Sequence, residues 1–399
     1  MNEEYMRIGT DYYKVAYQPL HSGDKTKVLL KWNKGEIITD HGKDYLDNIP
    51  KYDGFCMIPS HTNYRQVIDR FLNQYHAIDH KPEPGDIKIT ADFLQHFFGE
   101  QYELGLDYLT LLWQKPTQIL PIFCMVSKAR NTGKSTFLNW LKMVYQNNMT
   151  INNNEDFRSR FNSDWAGKLL IVVDEVLLEK REDSERIKNL STARSYKSES
   201  KGKDRVEIPF YGKFILCSNN EENFIYVDNE EIRYWVRKIP QLPKNGDNPD
   251  MLDELKKEIP HFIYLLNSRK IATPKVTRMW FTKEQIHTAA LDNLIKSNKT
   301  FIHKELEQIL LDEFDMFDKD VLKYSNSDLV RKLSDNNIRV SSSKVTEAIK
   351  KHLGLNTTNS SYIKHHLSIN PSNQKPWIEE TNHKGRHYTF IREEIGIQR

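Results

Sequence analysis

The sequence predicts an α/β fold with a parallel sheet, because three short apolar stretches alternate with helical patterns and each stretch ends in polar residues. A continuous apolar run is typical of a parallel strand that is buried on both faces. The polar residues that follow such strands are expected to lie together at one edge of the sheet. The three stretches are 122–126, 169–173 and 214–217.

The first stretch leads through a polar loop into Gly133-Lys134-Ser135-Thr136 and a helix with one apolar stripe. This pattern predicts a phosphate-binding loop, the P-loop. Gly133 lets the chain wrap around a phosphate, Lys134 provides charge for the β- and γ-phosphates, and the Ser135 hydroxyl binds Mg²⁺. Lys128 stands where the general pattern G-x-x-x-x-G-K-[ST] has its first glycine. A plain surface turn before a helix is therefore the alternative.

The second stretch ends in Asp174-Glu175, the arrangement of a Walker B strand. We expect Asp174 to hold Mg²⁺ through water and Glu175 to orient or deprotonate the attacking water. An acidic pair at the start of a helix has the same local sequence, but this pair follows a phosphate loop along the chain.

The third stretch runs into two asparagines, and an arginine follows in a strand-like segment, 230–238. We expect Asn219, with Asn220 as the alternative, to contact the γ-phosphate or the lytic water, the role called sensor 1. Arg233 is expected to reach the γ-phosphate of a neighbouring subunit and to stabilise charge in the transition state, with Arg237 as its alternative.

The order of these motifs resembles that of superfamily 3 helicases, in particular the helicase part of poxvirus-type and phage, plasmid or mobile-element primase-helicases. The resemblance covers about 90–243 and lies in N-x-G-K-S-T, the strand with D-E, K-G-K-D-R, the strand with S-N, and E-x-R-Y-W-V. It implies an AAA+-like P-loop NTPase core, a homo-hexameric ring, and ATP with Mg²⁺ bound between subunits. The implied nucleotide contacts are Asn131, Thr132, Gly133, Lys134, Ser135 and Thr136, and the implied metal contacts are Ser135 and Asp174.

The same resemblance implies a hairpin before the third strand that grips single-stranded DNA in the pore of the ring. The matching stretch is 198–205, in which Gly202 favours a turn. Lys201, Lys203 and Arg205 would contact DNA phosphates. A charged hairpin that faces only solvent is the alternative.

The last segment, 323–399, predicts a winged-helix domain that binds DNA. Two helices, near 328–334 and after Ser341, precede a strand pair whose tip is predicted at 382–386. With 13 Lys/Arg against 7 Asp/Glu the segment favours an anionic partner, although winged helices also bind proteins. The predicted DNA contacts are Lys344, Lys350, Lys351, Lys384 and Arg386.

Elsewhere the sequence predicts a mixed α+β region at 1–89 with no catalytic pattern, an ATPase core with a preceding helical element at 90–243, and helical linker material at 244–322. An apolar stripe predicts a helix at 64–75.

Three widely spaced cysteines indicate no metal cluster or disulfide framework. No run approaches the roughly 18 apolar residues of a membrane span, and we expect a soluble, cytoplasmic protein.

Together these features predict an ATP-dependent DNA helicase that acts on single-stranded and forked DNA in the replication of a phage, plasmid or mobile element. A separate primase or other replication proteins are possible partners. Two alternatives remain from the sequence: an ATPase of the same fold that loads or remodels replication proteins, and an origin-binding protein whose nucleotide site only controls assembly.

Overall fold

A computed structural model describes residues 4–19, 25–159, 162–178, 181–198, 206–227, 231–243, 248–369 and 376–395 of the chain. The predicted DNA contacts Lys201, Lys203 and Arg205 lie outside the described residues, as does the side chain of Lys351.

The chain forms two compact units. Unit 1 comprises Met1–Val176, Arg186–Asn219 and Ile232–His287, and unit 2 comprises Leu177–Glu185, Asn220–Glu231 and Thr288–Arg399. Residues 1–89 thus belong to the same unit as the central sheet. The segment 244–322, predicted as one linker region, is divided between the two units.

Unit 1 is built on a five-stranded sheet in which every neighbouring pair of strands is parallel. The strands are β8 (Ile122–Val126), β9 (Met149–Asn152), β10 (Leu170–Val173), β13 (Lys213–Ser218) and β14 (Tyr234–Lys238). Their order is β14-β8-β13-β10-β9. All side chains of β8, β10 and β13 are buried. The predicted α/β class with a parallel sheet is confirmed, and β13 separates the strand before the Gly-Lys-Ser loop from the strand before Asp174.

Four helices pack on one another and share the apolar core of this sheet. They are α3 (Lys88–Phe98), α4 (Tyr102–Gln114), α5 (Lys134–Tyr145) and α9 (Met251–Ser268). The other helices along this part of the chain are α6 (Asn154–Arg158), α7 (Ser163–Ala166), α8 (Arg181–Ser191), which is divided between the two units after Glu185, and α10 (Lys283–Ile286). The helical element predicted before the first strand is therefore part of the core of unit 1.

A two-stranded antiparallel ribbon precedes β13. Its strands are β11 (Ser195–Ser198) and β12 (Val206–Pro209), and Ser198 pairs with Val206 at its outer end. The ribbon frames the stretch in which the sequence predicts a hairpin.

The first 75 residues form two small sheets. The elements are β1 (Tyr5–Ile8), β2 (Asp11–Pro19), β3 (Lys25–Trp32), α1 (Lys34–His41), α2 (Tyr45–Asn48), β4 (Lys51–Tyr52), β5 (Gly54–Cys56), β6 (Val67–Ile68) and β7 (Phe71–Asn73), in the orders β3-β2-β1-β4 and β5-β7-β6. The helix predicted at 64–75 is wrong. Asp69 and Arg70 both have positive φ, 45° and 70°, and make the two-residue turn of a hairpin.

Unit 2 contains an antiparallel sheet with helices packed around a second apolar core. Its elements are α11 (Ala289–Phe317), β15 (Val321–Tyr324), α12 (Asn326–Asp335), α13 (Ser342–Ala348), β16 (Thr358–Ile369) and β17 (Pro376–Ile391), with the sheet order β15-β17-β16. The hairpin tip predicted at 382–386 is wrong. Those residues lie within β17, where Lys384 pairs with Ser361 and Arg386 with Asn359, because ladder pairing continues through Gly385.

Within the described residues, no helix is long and apolar enough to cross a membrane.

Candidate functional site

The loop between β8 and α5 has the backbone of an anion-binding turn. Asn131 and Gly133 both adopt positive φ, 56° and 79°, and alternation of this kind turns successive N–H groups toward one point. Gly133 is the N-cap of α5, and the first turn holds neither a capping side chain nor an acidic residue. The positive end of the helix dipole therefore faces the loop, where an anion is stabilised.

Lys134 lies at the centre of this edge of the sheet. Its Nζ donates to the carbonyl oxygens of Ser127 and Ser218, at 3.2 and 3.0 Å, and to Oδ1 of Asn219 at 3.0 Å. These acceptors stand at the carboxyl ends of the neighbouring strands β8 and β13. Lys134 and Asn219, which are 85 residues apart along the chain, are thus brought into direct contact.

Asn219 and Asn220 make different contacts. Oδ1 of Asn220 accepts hydrogen bonds from the backbone N–H groups of Glu222 and Asn223, at 2.9 and 3.0 Å, and closes a local turn. Asn219 instead turns its side chain toward Lys134. The geometry thus favours Asn219 as the residue at the predicted site.

The acidic pair Asp174-Glu175 follows β10, and β13 lies between β10 and β8. Asp174 is half-buried, and its Oδ1 accepts from the N–H of Glu175 at 3.0 Å. Glu175 is exposed and has a positive φ of 52°, and its carbonyl accepts from Nδ2 of Asn154 at 2.9 Å. Asn154 thereby supports an unfavourable backbone conformation that directs the Glu175 side chain outward.

The charges of Asp174 and Lys134 both affect the pKa of the Cys217 thiol. Burial raises the pKa of the Cys217 thiol well above its usual value, the Asp174 carboxylate adds to the rise, and the Lys134 ammonium opposes it. Cys217 belongs to β13, which lies between the strands that precede these two residues. The opposite charges of the predicted site therefore converge on one edge.

A pocket of about 330 Å³ opens at this edge. It is lined by residues 129–136 and Asn219, and also by four residues that the sequence analysis missed. Those four come from α3 and from the chain beyond β14, which no motif connects to the loop. They are Phe93, Leu242, Asn248 and Met251.

All six predicted nucleotide contacts from Asn131 to Thr136 line the pocket. Ser135 is exposed in the first turn of α5. In the described part of the chain there is no cluster of three or more His, Cys, Asp or Glu side chains that could bind a metal by itself. A metal held by Ser135 and Asp174 would need further oxygen ligands from water or from a phosphate.

Arg233 and Arg237 occupy opposite ends of their segment. The carbonyl of Arg233 accepts from the N–H of Ile122, at the amino end of β8. At about 3.3 Å per residue, roughly 15 Å of strand separates this end from the loop at the carboxyl end. Arg233 is therefore placed away from the pocket of its own chain.

Arg237 is committed to contacts inside unit 1. Its side chain is 8% exposed, its Nη1 donates to Glu100 Oε1 at 2.5 Å, and the same atom donates to Gln101 Oε1 at 3.1 Å. The bond from Arg237 lowers the pKa of the Glu100 carboxyl. These contacts join β14 to the turn after α3 and favour a structural role for Arg237.

The base of the β11–β12 ribbon is held by Tyr196. Its ring stacks on Trp165 at a centroid distance of 5.4 Å, and its hydroxyl accepts from Asn162 Nδ2 and Arg186 Nη2, both at 3.2 Å. These contacts fix the ribbon to the rest of unit 1, and the predicted contacts Lys201, Lys203 and Arg205 lie outside the described residues.

The basic residues predicted in unit 2 are spread over α13, the turn after it and β17. Lys344 is half-buried on α13, and Lys350 is exposed in the turn that follows it. Lys384 and Arg386 are exposed on β17. They present positive charge along the body of the β16–β17 hairpin, and not at its tip.

Part of the chain matches a protein family. Residues 125–237 match a family described as "Family of unknown function (DUF5906)". The match covers less than half of the chain and runs from β8 into β14, so it includes the loop, the acidic pair and Asn219. No curated protein matches the chain.

Solved structures of the NrS-1 C-terminal region resemble the chain over nearly its whole length. The apo structure of that region, residues 305–718, has 14% sequence identity and a TM-score of 0.58, and covers 97% of this chain and 95% of that one. Its A form has 14% identity and a TM-score of 0.57 with the same coverage. At this identity the likeness concerns the fold.

Proposed function

We propose that the chain is a ring-forming, ATP-dependent DNA helicase that acts in the replication of a phage, plasmid or mobile element. The observation that carries the proposal is the 3.0 Å contact between Lys134 Nζ and Asn219 Oδ1 in a pocket whose wall is the loop before α5. Lys134 is the residue expected at the β- and γ-phosphates, and Asn219 is the residue expected at the γ-phosphate. Their contact places the two side chains together.

The residues of the pocket fit a nucleoside triphosphate with Mg²⁺. Backbone N–H groups near Asn131 and Gly133, together with the dipole of α5, suit the phosphates. Ser135 and Asp174 would hold the metal. When bound, Mg²⁺ neutralises phosphate charge and orients the triphosphate.

Three side chains would divide the chemistry of hydrolysis. Lys134 exchanges its carbonyl acceptors for phosphate oxygens and stabilises charge that develops there. Glu175, exposed beside Asp174, accepts the proton of the attacking water or orients it. Asn219, on the strand between the loop and the acidic pair, donates from its amide to the γ-phosphate or to that water.

The position of Arg233 supports a site shared between subunits. It lies at the amino end of β14, whereas the pocket lies at the carboxyl edge, so its guanidinium would serve a neighbouring copy. Six copies in a ring would place each Arg233 against the next pocket and direct the β11–β12 hairpins into a common pore for single-stranded DNA.

Strand displacement on a forked DNA substrate with ATP and Mg²⁺ tests this function. We expect unwinding by the wild type and none by Lys134→Ala. ATP hydrolysis without strand displacement would favour the remodelling ATPase, and DNA binding without hydrolysis would favour the origin-binding protein.

A further inference from the structure

We propose that Leu242 and Met251 form a base-binding subsite at the apolar end of the pocket and hold a purine by its faces. This inference rests on the proposed function, because it assigns the other end of the same nucleotide site. It concerns two residues that no sequence motif includes.

The lining of the pocket divides into two chemistries. Residues 129–136 and Asn219 provide backbone N–H groups, Lys134 and polar side chains, which suit phosphate. Phe93, Leu242 and Met251 provide apolar surface. Of the parts of a nucleoside triphosphate, only the base gains from contact with such surface.

Leu242 is held at a fixed place relative to the loop. Its N–H donates to the carbonyl of Asn131 at 3.0 Å, and three residues earlier the N–H of Ile239 donates to the carbonyl of Val126 at 2.9 Å. The chain leaving β14 is therefore attached both to the end of β8 and to the loop. Leu242 therefore lies beside the loop and lines the same pocket.

Met251 is positioned by the start of α9. Its N–H donates to the carbonyl of Asn248 at 3.2 Å. Oδ1 of Asn248 accepts from the N–H of Asp250, and its Nδ2 donates to Glu254, both at 2.9 Å. Asn248 thus orders the first turn of α9 and presents Met251 to the pocket.

The hydrogen bonds of Asn248 bear on which base the pocket prefers. Each end of its amide makes a hydrogen bond at the start of α9, to the N-cap residue Asp250 and to Glu254. The side chains that Leu242 and Met251 offer to the base are apolar. Sites that bind a base by hydrogen bonds reject the wrong one strongly, whereas apolar contacts discriminate weakly. We therefore expect adenine and guanine nucleotides to bind within about tenfold of each other.

Phe93 closes the pocket beneath the loop. Its side chain is 6% exposed, and a Cβ placed on Gly133 would lie 3.7 Å from its Cε2. The ring therefore supports the backbone of the loop from the side of α3. Replacing it would disturb the phosphate end as well, which makes Leu242 and Met251 the better residues for a test.

Calorimetric titration with three probes, each with Mg²⁺, separates the two ends of the site. The probes are the β,γ-imido analogues of ATP and GTP, and inorganic tripolyphosphate, which has no base. Leu242→Ala and Met251→Ala should each weaken both analogues by about tenfold. Both should leave tripolyphosphate binding unchanged, which also shows that the loop is intact.

Matched controls are Leu367→Ala and Met316→Ala, because these residues are 59% and 51% exposed in unit 2. They should bind all three probes as the wild type does. If Leu242→Ala and Met251→Ala bind the analogues normally, or lose tripolyphosphate equally, the base subsite is wrong while the proposed function stands. Guanine analogue binding more than tenfold weaker would also overturn it. A wild type that binds neither analogue nor tripolyphosphate would overturn the proposed function itself.

Discussion

The parallel sheet of unit 1 and the antiparallel hairpin of unit 2 differ in how sequence order becomes spatial arrangement. In the parallel sheet, the residues after β8, β10 and β13 all emerge at one edge, so motifs that are far apart along the chain converge. In the hairpin, position along the sheet depends on which residues pair, and Lys384 and Arg386 lie within a strand and not at a turn. A sequence motif therefore locates a site more securely in the parallel sheet.

The largest expected effect is a loss of ATP hydrolysis when a residue at the edge of the parallel sheet is replaced. Lys134→Ala should lower the rate of ATP hydrolysis by about 10³-fold, because it removes the charge that faces both the loop and Asn219. Asp174→Ala should do the same through the metal. Lys88→Ala is the control, since Lys88 is 74% exposed on α3. Steady-state turnover measures the effect. Wild-type turnover by Lys134→Ala would show that the pocket is not the active site, and wild-type turnover by Asp174→Ala would show that Asp174 does not hold the metal.

The second prediction tests whether Arg233 completes the site of a neighbouring subunit. Arg233→Ala should bind ATP normally yet hydrolyse it about 10³-fold more slowly, since an arginine finger acts on charge in the transition state. Mixed with Lys134→Ala, it should regain turnover at interfaces where an intact loop meets an intact Arg233.

Arg237→Ala sharpens this test, because Arg237 has its contacts within unit 1. Arg237→Ala should lower the unfolding temperature clearly, whereas turnover per folded molecule should change little. If mixed rings verified by subunit exchange show no recovery, Arg233 does not act in trans.

The third prediction concerns two buried histidines of unit 1. Burial lowers the pKa of His61 and of His76, both in unit 1, to about 4. Between pH 6.5 and 4 the folded state then binds fewer protons than the unfolded chain, so the free energy of unfolding falls as the pH drops through this window. The loss should be on the order of 3 kcal/mol for His61.

Denaturant unfolding at several pH values measures this slope. His61→Gln should flatten it, whereas His41→Gln, at an exposed position of the same unit, should not. A slope that is unchanged in His61→Gln would mean that His61 does not titrate in this window.

The smallest expected effect concerns the basic residues of unit 2. Lys350→Ala, Lys384→Ala and Arg386→Ala should each reduce the slope of log affinity for duplex DNA against log salt by about 1, because each phosphate contact releases a counterion. Exposed Lys43 of unit 1 provides a control variant, Lys43→Ala. Unchanged slopes in all three variants would favour a protein partner for unit 2.

The sequence pattern is ambiguous where a helix and a hairpin fit the same spacing of apolar residues. Val67, Ile68, Phe71 and Leu72 fit a helical stripe, but they also fit a hairpin whose two-residue turn is Asp69-Arg70. The second turn residue is Arg70, and not the glycine that usually marks such a turn. Lys384-Gly385-Arg386 is the opposite case: a glycine flanked by charges is typical of a turn, but here the ladder continues through it.

The sequence by itself determined the parallel sheet, the helix that follows the phosphate loop, and the residues that end each strand, because buried strands require unbroken apolar runs and the chain must leave each of them at a polar turn. Tertiary structure alone decided which strand lies between which, and so brought Lys134 to Asn219 and bound Arg237 to Glu100. It also decided that Leu242 and Met251 line the same pocket as the loop. Contacts between segments distant along the chain depend on how helices and strands pack, and no local spacing of residues encodes that packing.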